Sequence, residues 1–180
     1  AHARAGVKVM VDSTFASPAL QRPLEHGADL VVHSLTKYIN GHGDLLGGAV
    51  LGDLQTLQQI RSVGLKYMTG STLSPMLCFL VMRGLKTLTL RMRQHSESAL
   101  KVAQMLRAHR AVKRVRYPFL EDGDDLTLAR AQMSHGGGML SFELQAGPDD
   151  AIRMIDRLKL ISRAISLGDT ESLITHPGSL

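Results

Sequence analysis

Val31-Val32-His33-Ser34-Leu35-Thr36-Lys37-Tyr38-Ile39-Asn40-Gly41-His42-Gly43-Asp44 is the stretch on which the fold turns. It opens apolar and β-branched, as a strand buried on both faces does, and it runs out into a glycine-rich loop. Ser34, Thr36 and Lys37 follow directly on that strand. Upstream, Val7-Lys8-Val9-Met10-Val11 has the same short, mostly apolar character and ends in Asp12, 25 residues before Lys37. Downstream, Gly48-Ala49-Val50-Leu51 reads as a third strand. Open α/β sheets bind ligands beyond the carboxyl ends of their strands, so Asp12 and Lys37 both fall where a ligand belongs.

An amine, two hydroxyls and a carboxylate at neighbouring strand ends are the groups a pyridoxal 5'-phosphate (PLP) site requires. A lysine amine captures the cofactor aldehyde, and hydroxyls beside it hold the phosphate. A carboxylate keeps the ring nitrogen protonated, so that the ring draws electrons from a bound substrate. Lys37, Asp12, Ser34 and Thr36 fit these roles, and Thr14 is placed against the ring or its phenolic oxygen. Each has a blander reading: a lysine after a strand is ordinarily solvated, a strand-end Asp ordinarily caps the next loop, and loop hydroxyls ordinarily face water. Their joint spacing is what makes Lys37 the candidate nucleophile. The same amine, once displaced by substrate, can act as base and then acid.

The stretch from Val11-Asp12-Ser13-Thr14-Phe15 to Lys37-Tyr38 resembles the Cys/Met-metabolism family of PLP-dependent enzymes. The resemblance continues through Arg83-Gly84-Leu85-Lys86-Thr87-Leu88 to Ser166-Leu167-Gly168-Asp169-Thr170-Glu171-Ser172-Leu173. That family includes cystathionine γ-synthase, the cystathionine lyases, methionine γ-lyase and the homoserine sulfhydrylases, and the likeness is nearest to the methionine γ-lyases. It implies a fold-type-I, aspartate-aminotransferase-like α/β architecture: part of a large mixed-sheet cofactor domain and part of a smaller α+β C-terminal domain. It implies α,γ-elimination from a sulfur amino acid, a homotetramer with active sites shared between two subunits, and a substrate carboxylate held near Ser166 and Leu167. Cystathionine γ-lyases often carry Glu where this chain has Ile165, so the apolar residue suits a short thioether such as methionine. Family members commonly carry Asn in place of Ser13, and methionine γ-lyases usually carry Asp in place of Tyr67. Cystathionine cleavage, homocysteine desulfhydration and a synthase or sulfhydrylase outcome stay open at this stage. So does an inactive fragment or interaction module. Family members are about twice as long, and the chain, which starts at Ala1 and stops at Leu180, is expected to be a piece of a longer one.

Composition narrows the classes further. Net charge is +5 and the pI is about 9.7, which invites a nucleic-acid reading. The positive residues are scattered, however, and aromatic residues make up 4%, so stacking platforms are scarce. The densest cluster, Lys113-Arg114-Val115-Arg116, reads as a strand alternating toward solvent. No nucleic-acid partner is expected. No apolar run approaches the roughly 20 residues of a membrane span. Single Cys78 excludes an internal disulfide framework and suits a cytoplasmic protein. On the apolar side of its helix it is expected to be buried. His33, His42 and His176 form no close ligand cluster, so no metal is expected.

Along the chain, the reading divides residues 1–88 into part of the PLP-binding domain, 89–110 into a linking helix, and 111–180 into part of the small domain. Pro23 to Gly27 should make a short helical turn. Asp53 should cap a helix to about Val63, followed by a loop over 64–74. Pro75 should start one long helix reaching His109, with Leu77, Leu80, Val81, Gly84, Leu85 and Leu88 at helical spacing. Val112–Tyr117 and Met139–Leu144 should be strands, and 126–133 and 148–158 helices. Residues 161–166 should be extended, delivering Ser166.

Overall fold

The computed structural model describes residues 6–179. Its first sheet has the order β1 (Met10–Asp12), β2 (Leu30–Ser34), β3 (Gly48–Gly52). β1 and β2 are parallel, with Asp12 opposite Val32, whereas β2 and β3 are antiparallel, with Ser34 opposite Gly48. The expected mixed sheet is therefore present. A parallel pair needs a crossover, and α1 (Ser17–Leu20) with the 3₁₀ turn Pro23–His26 supplies it. β1 is shorter than expected. Val9 lies outside it: its carbonyl accepts from the amides of Asp29 and Leu30, and its own amide donates to Asp29 Oδ2 at 2.7 Å.

Asp53 caps α2 (Leu54–Gln59) by accepting from Thr56 N at 2.9 Å. The helix does not stop near Val63. It widens into a π-type segment, Ile60–Thr69, and ends only at Gly70, whose φ of +63° closes it with a left-handed residue. The loop expected from Gly64 is thus mostly helical. α3 (Pro75–Leu85) and α4 (Leu88–Ala108) replace the single long helix expected between Pro75 and His109. They part at Lys86 and Thr87. Thr87 has φ −110° and ψ 2°, and its hydroxyl bonds the Gly84 carbonyl, a local contact that competes with the helical ladder.

α4 carries a buried stripe of Leu88, Met92, Ser96, Ala99 and Ala103. Small residues at its far end let β4 (Val112–Arg116) approach closely. β4 pairs antiparallel with β5 (Ser141–Leu144). A bulge between Val112 and Arg114 breaks the expected alternation, so Lys113 and Arg114 are both exposed. α5 (Gly123–Gln132) begins three residues before its expected start, α6 (Pro148–Asp156) starts where expected and ends two residues short, and β6 (Ser162–Arg163) pairs parallel with β7 (Leu173–Ile174).

Three apolar clusters hold these pieces. Leu35, Ile39, Leu45 and Val81 bring α3 onto the turn after β2. Ala16, Leu20, Tyr38, Leu88 and Met92 join α1, that turn and α4, and Met133 and Leu167 pack on them from the later part of the chain. Ala99, Ala103 and Tyr117 join α4 to β4. Cys78 lies in none of them and is exposed, against expectation. The inward side of α3 is formed by Leu77, Leu80, Val81 and Gly84, and a residue one step on from Leu77 points about 100° away from it. Among the described residues no helix is long and apolar enough to cross a membrane.

Candidate active site

Asp12 ends β1 and Ser34 ends β2, side by side on the parallel pair. Their loops are tied together by Thr14, which is buried. Its Oγ1 accepts from Ser34 N at 2.8 Å, and its own amide donates to Asp12 Oδ1 at 2.9 Å. Hydrogen bonds from Thr14, side chain first and backbone second, hold the Asp12 carboxyl below its ordinary range; burial opposes them weakly. Asp12 is therefore an exposed carboxylate near neutral pH, with Oδ1 turned toward the loop that follows β1. Thr14, expected to lie against a ligand, first fixes the two strand ends relative to each other.

Lys37 sits in a single wide turn, Leu35–Ile39, that begins immediately after β2. Its φ of −95° and ψ of −134° are not helical, so the turn is kinked at the lysine itself. Leu35 N donates to Gly47 O, and Thr36 Oγ1 accepts from Gly47 N at 3.1 Å while making a long 3.4 Å bond to Gly47 O. Thr36 thus locks the start of the turn to the segment leading into β3. Asn40 N and Gly41 N close the turn on the carbonyls of Leu35 and Lys37.

The later part of the chain reaches this turn through Ser166. Lys37 Nζ donates to Ser166 Oγ at 3.2 Å, across 129 residues of sequence. Leu167, next to it, packs in the cluster around Tyr38. Gly168 follows with φ +84°, and a Cβ there would lie 2.5 Å from Tyr38 N and 2.8 Å from the Lys37 carbonyl carbon. Backbone thus rests directly on backbone, and only glycine permits it. Ile165 is 73% exposed and opens to solvent beside Ser166.

Asp12, Thr14, Ser34, Thr36, Lys37, Ser166 and Leu167 are thus joined by direct contacts at the strand ends of the first sheet, with Ile165 adjacent in the chain, whereas Tyr67 lies exposed on the π-type segment, which makes no described bond to them. Two buried polar atoms, Ser13 Oγ and His33 Nδ1, have no partner there, and burial pushes the His33 imidazole below its ordinary value. His42 Nδ1 lies 2.7 Å from Asn40 O and must carry the proton toward it. No group of three His, Cys, Asp or Glu among the described residues could hold a metal ion.

These contacts leave a donor set that suits PLP. An amine on a kinked turn, a carboxylate kept ionised, and the partly buried hydroxyls of Ser34 and Thr36 are present within one strand-end region. Thr36 Oγ1 has only a long bond for its proton, which a phosphate oxygen could draw away. The residues fit the group.

Three roles escaped the sequence reading. Gly84 and Arg91 fix the Lys37 turn from outside it, and Tyr38 anchors it from within. Tyr38 is 2% exposed and meets His95 edge-on, with centroids 5.3 Å apart. A signal for Arg91 did exist: it falls three residues after Leu88 and four before His95, a charge within the inward stripe of α4.

A family model described as Cys/Met metabolism PLP-dependent enzyme matches residues 1–180. An L-methionine gamma-lyase of Fusobacterium nucleatum subsp. polymorphum is 47% identical over 180 residues, which is all of this chain and 46% of the relative. An L-methionine gamma-lyase of Pseudomonas putida is 51% identical over 175 residues, covering 97% of this chain and 44% of the relative. The crystal structure of a cystathionine gamma synthase from Xanthomonas oryzae pv. oryzae, in complex with aminoacrylate and cysteine, superposes with a TM-score of 0.91 at 46% identity. It covers 97% of this chain and 45% of that one. The chain spans about half the length of the relatives it matches.

Proposed function

The chain belongs to the Cys/Met metabolism PLP-dependent enzymes, and on that premise we propose that it serves a carbon–sulfur lyase acting on methionine by α,γ-elimination. Methionine and water would give 2-oxobutyrate, ammonia and methanethiol. The observation that carries this reading is Lys37: an amine on a kinked turn at the end of β2, whose parallel partner β1 ends in Asp12, and 3.2 Å from Ser166 Oγ. The names of the relatives, two of them methionine lyases, favour the thioether substrate.

PLP, when bound, supplies an electron sink that stabilises negative charge on the substrate carbon. Lys37 would hold it through Nζ, Asp12 would keep a proton on its ring nitrogen, Ser34 and Thr36 would hold its phosphate, and Thr14 would contact its ring or phenolic oxygen. Lys37 Nζ then moves the substrate's Cα proton. Ser166 Oγ restrains that amine, and Ser166 with the backbone at Leu167 receives the substrate carboxylate. Ile165 offers the distal end of the substrate no charge, which suits a methylthio group and leaves an ammonium unpaired. Residues 1–88 and 111–180 would then belong to the cofactor and small domains, joined by 89–110. A cytoplasmic homotetramer with active sites shared between two subunits belongs to the same proposal.

A second reading, a synthase that adds a thiol to the same substrate intermediate, is favoured by the likeness to the Xanthomonas cystathionine gamma synthase. The test uses the full-length protein supplied with PLP. Its visible spectrum is recorded, and 2-oxobutyrate and thiol are measured from methionine, cystathionine and homocysteine. Lys37→Ala should lose both the visible band of the lysine-bound cofactor and product formation. An unchanged band in Lys37→Ala would remove the assignment. A normal band with no turnover of methionine would move the reading to the synthase.

A further inference from the structure

We propose that Arg91 is a positioning residue for Lys37, holding the turn that carries the amine by its carbonyl oxygens. The inference rests on the reading of Lys37 as the cofactor-bearing residue. Arg91 lies on α4, partly buried, and among the described residues it makes no ion pair with a carboxylate. It spends its donors on backbone instead. Nη1 donates to Tyr38 O at 2.7 Å; Nη2 donates to Ile39 O at 3.3 Å and to Gly84 O at 2.9 Å; Nε donates to Thr87 Oγ1 at 3.1 Å. The amides of Asn40 and Gly41 close the turn on the carbonyls of Leu35 and Lys37, and Arg91 takes the next two, those of Tyr38 and Ile39. The Gly84 carbonyl belongs to the last turn of α3. One guanidinium therefore caps two helical carboxyl ends at once, where peptide dipoles favour a cation.

Planarity matters here. A fork of donors can hold three carbonyls in one fixed arrangement, whereas an ammonium on a flexible stem can satisfy them only in part. The neighbouring residues make room for it. Gly41 has φ +73°, and a Cβ at that position would overlap the Arg91 guanidinium. Gly84 brings the α3 backbone onto the carbonyls of Ile39 and Asn40. From the other side, Gly168 rests on the Lys37–Tyr38 peptide. Arg91 thus fixes the piece of backbone directly after Lys37, and with it the kink at the lysine and the approach of Nζ to Ser166.

The experiment compares Arg91→Met, Arg91→Lys, Thr87→Ala and Gly41→Ala in the full-length protein. Three readouts are taken: amide hydrogen exchange over residues 35–41 in the cofactor-free protein, kcat and KM separately in the PLP-loaded protein, and the thermal midpoint. In Arg91→Met, exchange over 35–41 should quicken about tenfold or more, and kcat should fall about 10- to 100-fold with KM changed far less, as a misplaced reacting group costs. Arg91→Lys should recover part of both. Gly41→Ala should reproduce the Arg91→Met pattern, because it displaces the guanidinium without removing it. If Arg91→Met does not fold, Gly41→Ala and Thr87→Ala decide, with Thr87→Ala the milder. A lowered thermal midpoint with kcat and local exchange unchanged would overturn the proposal and leave Arg91 a stabilising residue only. Failure of the premise looks different: Lys37→Ala would keep its visible band, whatever Arg91 does.

Discussion

Gly84→Ala sets two known effects against each other, and the structure says which one wins. Gly84 lies within α3, where alanine is intrinsically favoured by ~1 kcal/mol. On helix propensity alone the substitution should stabilise the protein. The added methyl, however, would meet Ile39 O and Asn40 Cα, each at 2.9 Å, and Asn40 O closer still. These are backbone atoms, so no rotamer change relieves the contact. α3 must withdraw by roughly half an ångström or more to reach ordinary carbon contact at about 3.5–4.0 Å. Overpacking of this kind costs ~1–3 kcal/mol. Withdrawal also weakens the charged bond from Arg91 to Gly84 O, and bonds of that type contribute ~1.5–3 kcal/mol. With the Arg91 bond lost, destabilisation therefore outweighs propensity by ~1.5–5 kcal/mol. Urea unfolding of the full-length variant should show a lower midpoint at unchanged slope, meaning lost stability rather than a changed denatured state. A midpoint equal to or above that of the parent would refute the close approach of α3 to the Lys37 turn.

Three other outcomes can be checked directly. Asp12→Asn should leave the fold intact but abolish most turnover, since a neutral amide cannot keep a ring nitrogen protonated; full activity would remove Asp12 from the site. Tyr38 and Tyr117 are each 2% exposed, and burial raises both phenols to about 12 from 10.0. A raised folded value favours the protonated fold, so this contribution is complete below pH 10 and is lost as pH climbs toward 12. Stability measured by denaturant at stepwise pH should fall across that window, by ~1.4 kcal/mol per tyrosine for each pH unit. Tyr38→Phe should flatten part of the fall, and an unaltered slope would contradict its burial. Ile165→Glu should move the ratio of kcat/KM from methionine toward cystathionine, because a carboxylate beside Ser166 can meet a distal ammonium; an unmoved ratio would detach Ile165 from specificity.

The candidate site of this chain was legible because its residues are local. Asp12, Ser34, Thr36 and Lys37 sit at strand ends, and apolar runs bounded by polar loops announce strand ends at once. The same holds for Asp53 as a cap, confirmed by its bond to Thr56 N. Errors arose where the outcome depended on distant partners. The break between α3 and α4 has no proline and no terminal glycine to mark it. Across it Gly84 lies on Asn40 and Leu88 enters the cluster around Tyr38, contacts that the sequence around Lys86 and Thr87 does not announce. Cys78 was misplaced for a related reason: α3 is apolar nearly all round, with Met76, Phe79 and Met82 exposed, so composition did not say which side faces inward.

A glycine illustrates the difference most sharply. Gly70 and Gly168 both have positive φ, +63° and +84°. A Cβ at Gly70 would meet nothing within 4 Å, so its only role is to end a helix. A Cβ at Gly168 would strike the peptide between Lys37 and Tyr38. The first requirement is local and the second spans 130 residues, yet the dihedral cost of replacing either by alanine is similar, ~1–2 kcal/mol. Gly70→Ala should therefore lose about that much stability with turnover per folded molecule unchanged. Gly168→Ala should lose more and should also slow turnover, because the added methyl pushes Ser166 away from Lys37 Nζ. Equal effects of the two substitutions on kcat would mean that the later part of the chain does not set the position of the lysine. Unequal effects would tie the geometry of that amine to a contact made between segments that only the folded chain brings together.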